Sequence, residues 1–136
     1  MKKLSILFAA FAVVFLASCG KYEDGPGFSL RSKASRIAGS WTIDKYTIDG
    51  VDYSSDLSGI TWDFTKAGAF TSSYTYAGQT FTDNGTWALT SNDENFTLTD
   101  SFGDSESYKI LRLTNSEFWF SETYSGVTSE YHLKAK

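Results

Sequence analysis

The sequence predicts an all-β fold, a small up-and-down antiparallel β-barrel of about eight strands over residues 39–136. Three observations predict it. The text from Gly39 onward is rich in Thr, Ser, Tyr, Phe and Trp, which favour pleated, half-buried surfaces, and the one proline, Pro26, precedes it. Apolar residues recur there with period two in short runs, and no stretch sustains a helical period. Turn signals separate the runs at intervals of about a dozen residues, so neighbouring strands are joined by short connections. A meander of this kind has two open edges, and closing it into a barrel removes both.

The elements follow in order. Trp41 and Ile43 share one face of the first strand, whereas Tyr46 and Ile48 take the opposite parity, which predicts a bulge or bend near Asp44-Lys45. Ile60, Trp62 and Phe64 alternate with Thr61, Asp63 and Thr65, so Asp63 is expected to face outward, and Lys66-Ala67-Gly68 turns the chain. Phe70, Tyr74 and Tyr76 form the next strand, closed by Ala77-Gly78. Phe81, Trp87 and Leu89 follow, with Asn84-Gly85 marking a bulge or a break. Residues 91–94 turn again, Phe96 and Leu98 make a short strand, and residues 100–106 read as a polar loop. Tyr108 and Ile110 share a face, with Leu111 and Leu113 on the other. Asn115-Ser116 turns, Phe118 and Phe120 alternate with Trp119 and Ser121, Ser125-Gly126 turns, and Tyr131 and Leu133 complete the barrel.

The N-terminal residues read as an address. Lys2 and Lys3 precede a 13-residue apolar run, Leu4 to Leu16. That run is shorter than the roughly 20 residues a helix needs to span a bilayer, and fits the core of a secretory signal. Leu16-Ala17-Ser18-Cys19 matches the bacterial lipobox at all four positions. The expectation is a lipoprotein signal peptide over residues 1–18, a lipidated Cys19, a tether over residues 19–38 and the barrel domain from residue 39. Acyl chains contribute about 0.8 kcal/mol per buried CH₂, so the membrane is the expected partner through them. The basic stretch Arg31, Lys33 and Arg36 reads either as one or two helical turns at an end of the barrel or as solvated linker. Lys21 followed by Glu23-Asp24 is similar to the signal that sends bacterial lipoproteins to the outer face of the outer membrane. The expected location is therefore an outer-membrane lipoprotein, at the cell surface or else facing the periplasm.

Charge and composition exclude several classes. The chain has 16 acidic and 12 basic residues, and loss of Lys2 and Lys3 would take its net charge from −4 to −6. Nucleic-acid binding needs clustered Lys and Arg, and is not expected. One cysteine allows no internal disulfide and no thiolate cage. His132 alternates with Tyr131 and Leu133 and is expected to face solvent. There is no nucleophile elbow and no phosphate-binding glycine loop. The acidic stretches Asn92 to Asn95 and Asp100, Asp104, Glu106 lack the spacing of a calcium loop and read as solvated turns. No enzyme activity, metal or cofactor is expected.

Gly39-Ser40-Trp41 at the start of the first strand resembles the Gly-x-Trp signature of lipocalins. Trp62-x-Phe64-x-x-x-Gly68-x-Phe70, Gly85-Thr86-Trp87-x-Leu89 and Tyr108-x-Ile110-x-x-Leu113-Thr114 are similar to the small lipocalin-like domains of Bacteroidetes lipoproteins. The Thr-Asp-Tyr motif of typical lipocalins is missing. The resemblance implies a compact barrel that binds a small apolar molecule, with Trp41 plugging the closed end. By parity Trp41, Trp62, Phe64, Phe70, Tyr74, Trp87, Phe96, Tyr108, Phe118, Phe120 and Tyr131 face inward, and all of these but Phe96 are candidate ligand contacts. An eight-stranded interior is either filled by side chains or holds one small ligand. Two functions follow: a lipid-anchored envelope protein binding a small apolar or amphipathic ligand, or a dry-cored module that docks a protein partner, with Trp119 in its exposed patch.

Overall fold

The computed structural model describes residues 30–90 and 92–136. The expected leader, Cys19 and most of the tether lie outside the described residues. The elements are a one-turn helix α1 (Lys33–Ile37) and strands β1 (Gly39–Ile48), β2 (Val51–Asp52), β3 (Thr61–Phe64), β4 (Ala69–Tyr76), β5 (Gln79–Leu89), β6 (Asn95–Asp100), β7 (Ser105–Leu113), β8 (Glu117–Tyr124) and β9 (Val127–Ala135). A 3₁₀ turn, Ser54–Leu57, lies between β2 and β3.

Eight strands, β1 and β3 to β9, pair antiparallel with their neighbours in sequence order, and β9 returns to pair with β1 from Trp41↔Ala135 to Ile48↔Ser129. The sheet is therefore a closed barrel. β2 is a ninth, two-residue strand folded back on the end of β1. Three tight turns, Asp49-Gly50, Ala77-Gly78 and Ser125-Gly126, have positive φ at both central residues. That geometry matches the twist of the flanking strands, and glycine adopts it without a Cβ penalty.

One end is closed. Ser32 caps α1 by accepting a bond from Ser35 N at 3.1 Å. The helix sets Ile37 fully inside the barrel end, and Trp41 Nε1 donates to Ile37 O at 2.8 Å. Arg36 Nη1 donates to Leu113 O at 2.7 Å, Arg31 reaches Asn115 at 3.3 Å, and Lys33 lies 3.5 Å from Asp93. These bonds fix the N-terminal segment across the β5–β6 and β7–β8 turns. Above them Trp41, Phe64, Trp87, Phe96, Ile110, Leu113, Phe118, Phe120 and Leu133 form one buried core. Full burial of side chains of this size contributes about 1.5–3 kcal/mol each, so this half carries most of the hydrophobic stabilisation. The strand ladders run within residues 39–135 and the buried core within 37–133, so the chain from residue 20 onward contains every described inter-element contact.

The bulge expected in β1 lies between Ile43 and Lys45. A second bulge lies between Ile110 and Arg112. It shifts the parity of β7, so Leu113 joins Ile110 in the core instead of facing away from it. Asn84-Gly85 neither bulges nor breaks: β5 runs unbroken through both. The polar loop shrinks to residues 101–104, because β7 already begins at Ser105.

Candidate functional site

The opposite end of the barrel is open. Five rings stand on its inner walls: Tyr46 from β1, Trp62 from β3, Phe70 from β4, Tyr108 from β7 and Tyr131 from β9. The bulge in β1 brings Tyr46 opposite Tyr131 in the ladder, with ring centroids 4.8 Å apart. Trp62 lies 5.7 Å from Tyr131 and meets Phe70 edge-on at 6.3 Å, and Tyr108 meets Tyr131 edge-on at 6.2 Å. Together with Leu57 and Leu98 these rings enclose a cavity of about 370 Å³. Pockets that bury small ligands span roughly 300–1,000 Å³, so this one suits a small molecule.

The remaining lining is polar: Ser72, Asp83, Asn84, Thr99, Asp100, Asp104 and Glu106. Tyr108 donates its hydroxyl to Glu106 at 2.5 Å, and Tyr131 donates to Glu122 at 3.2 Å. Burial raises both phenols well above the ordinary tyrosine range. For Tyr108 the bond to Glu106 and the charge of Glu122 add to the shift, and for Tyr131 the charge of Glu122 and the neighbouring Tyr46 do so. Trp62 Nε1 is buried and meets no acceptor among the described residues. A buried donor left unsatisfied costs about 1–3 kcal/mol.

The wall is split beside this cavity. The β7–β8 ladder ends at Lys109↔Ser121, so Ser105–Tyr108 and Glu122–Tyr124 are not paired with each other. A second hollow of about 740 Å³ occupies the gap, and Glu106 lines both spaces. The hairpins around the mouth expose large apolar residues: Tyr76 (73%) on β4–β5, Phe102 (91%) on β6–β7 and Tyr124 (80%) on β8–β9.

The residues expected inside divide into three groups. Trp62, Phe70, Tyr108 and Tyr131 line the cavity. Trp41, Phe64, Trp87, Phe118 and Phe120 are buried in the core of the closed half. Tyr74 does neither and corrects the expectation. Beyond Ser73 the strand β4 has left its β3 partner, and β5 joins β6 only from Gly85, so residues 74–81 form a ribbon paired only with itself. There Tyr74 stacks on Phe81 at 5.1 Å, half exposed.

Tyr46 and the carboxylates Asp83, Asp100, Asp104 and Glu106 are among the lining residues that the sequence reading missed. Glu106 shares the parity of Tyr108, and Asp83 that of Trp87, so alternation carried the signal. On the outer face His132 hydrogen-bonds Glu130 and stacks on Trp119 at 4.0 Å, while Arg112 lies 5.2 Å from the Trp119 ring. Trp119 is thus half-buried between Arg112 and His132 rather than the centre of an open apolar patch. Asp63 faces outward and accepts a hydrogen bond from Ser40. Among the described residues no three His, Cys, Asp or Glu side chains converge as metal ligands would.

A model of the lipocalin-like domain family matches residues 37–120, more than half of the chain. Among solved structures, insecticyanin from the tobacco hornworm Manduca sexta shares the fold with a TM-score of 0.56, at 11% identity, over 85% of this chain and 68% of that one. No curated protein matches the sequence.

Proposed function

The chain belongs to the lipocalin-like domain family, and from that premise we propose that it is a lipid-anchored envelope protein whose barrel binds a small, partly apolar ligand in its open half. One observation carries the binding part. The closed half is filled by side chains, whereas the open half keeps an aromatic-walled cavity of about 370 Å³. The anchoring part is supported by Leu16-Ala17-Ser18-Cys19 and by the apolar run before it. The outer membrane is the proposed site, on the resemblance of Lys21 to Asp24 to a surface-sorting signal.

Native mass spectrometry of the chain from residue 20, purified mildly, tests the binding part. The expected result is a co-purified small molecule, or quenching of tryptophan fluorescence by a member of a panel of fatty acids, haem, bile acids and alkylamines. Neither result with any compound would refute it. The exposed rings Tyr76, Phe102 and Tyr124 favour a second reading, in which the rim docks a protein partner. Cross-linking from those three positions in intact cells distinguishes the two, since only docking predicts one recurrent partner.

A further inference from the structure

The geometry points to a ligand of one charge class: an organic cation, with an ammonium group on an apolar body, held by the aromatic walls and the acidic mouth of the cavity. The inference rests on the ligand-binding reading above and deepens it.

Three observations converge. Rings from four strands, Tyr46, Trp62, Tyr108 and Tyr131, line one cavity and pack on one another with neighbouring centroids 4.8–6.2 Å apart. Aromatic faces attract cations by about 0.5–2 kcal/mol each, and cages of such faces are how quaternary ammonium groups are recognised. The charge around them has one sign. Asp83, Asp100, Asp104 and Glu106 line the cavity, Glu122 stands at the slit beside it, and among the described residues no Lys, Arg or His lines either hollow. The described ion pairs, Lys33–Asp93, Arg112–Glu117, His132–Glu130 and Lys134–Asp44, all lie elsewhere. A cleft lined by one sign of charge with apolar walls concentrates the opposite charge.

Local structure accounts for only part of this acidity. Asp100 accepts from Phe102 N at 2.8 Å and Asp104 N at 2.9 Å, which orders the β6–β7 turn. Glu106 and Glu122 each accept one tyrosine hydroxyl and keep further acceptor capacity. The side chains of Asp83 and Asp104 make no hydrogen bond or ion pair among the described residues. The third observation is that the carboxylates are dispersed around the mouth and no three converge on one point. A bare metal ion needs convergence, whereas a bulky, diffuse cation does not.

Three probes with the same chain length test this: decyltrimethylammonium, decanol and decanoate, each below its micellar range, titrated against the chain from residue 20 by tryptophan fluorescence. The expected result is that the cation binds about tenfold or more tighter than decanoate, with decanol between them. Raising the salt from about 0.02 to about 0.5 M should weaken the cation alone, because screening acts on charge. In Asp83→Asn/Glu106→Gln the preference should collapse to about twofold or less. Should that double variant fail to melt cooperatively, Asp83→Asn alone and the salt series serve. Decanoate binding as tightly as the cation would overturn the inference while leaving ligand binding intact. Binding of none of the three, alongside an empty panel, would remove the ligand-binding reading itself.

Discussion

Phe70 lies directly across the β4–β5 ladder from Gly85, and a Cβ on Gly85 would stand 2.2 Å from the backbone oxygen of Thr99. The pair marks where β5 acquires its second partner: it pairs with β4 along its length, but with β6 only from Gly85 onward. The backbone of β6 approaches so closely that no side chain fits. Gly85→Ala should therefore destabilise the barrel by about 1–3 kcal/mol, as overpacking does. Denaturant melts should show a lower midpoint with an unchanged slope.

Trp41 and Trp62 separate stability from binding. Trp41 fills the closed end and donates to Ile37 O. Trp41→Phe removes that bond and part of the indole, and should cost about 1–3 kcal/mol while leaving the affinity of a cavity ligand unchanged. Trp62→Phe removes an indole N–H that has no acceptor. It should cost less stability and weaken the ligand. Thermal melts and fluorescence titrations on the two variants, read together, check both halves.

Tyr108 and Tyr131 give stability a defined alkaline limit. Their folded-state pKa values lie above the ordinary 10.0. The folded state therefore holds two protons that the unfolded chain releases above pH about 10. Their contribution is fully present below that pH and declines as pH rises beyond it. Absorbance of phenolate during an alkaline titration should show two of the 8 tyrosines silent until the barrel unfolds. Glu122→Gln should bring both nearer to the ordinary value.

Cys19→Ser tests the anchor. The expected result is a shift of the exported chain from the detergent phase to the aqueous phase on Triton X-114 partitioning, with loss of metabolic palmitate label. Two or more acyl chains give stable anchoring, so the shift should be nearly complete.

Much of the fold was legible because strand parity is a strict geometric rule. The switch from Trp41 and Ile43 to Tyr46 and Ile48 located a bulge that lies between Ile43 and Lys45. The bulge in β7 was not legible, because Ile110, Leu111 and Leu113 are all apolar and fit either register. The cavity was half legible. Its rings followed from alternation, but Glu106 was read into a polar loop and Asp83 was passed over, although both share that inner parity; charge ordinarily seeks water. In an open barrel end water reaches inward, so that rule loses its force there. Tyr74 shows the converse limit. Parity says which face a side chain takes, and does not say where two strands leave the barrel as a free ribbon.

The bonds of Arg31, Arg36 and Lys33 bring the N-terminal segment in at the plugged end, at the pole opposite the mouth. With Cys19 held in a bilayer, the eleven residues from there to Leu30 extend at most about 40 Å. On the proposed anchoring, the chain would leave for the bilayer from the pole opposite the mouth. Cargo would be delivered through water or handed over by a partner at the rim, rather than drawn from the sheet of lipid below.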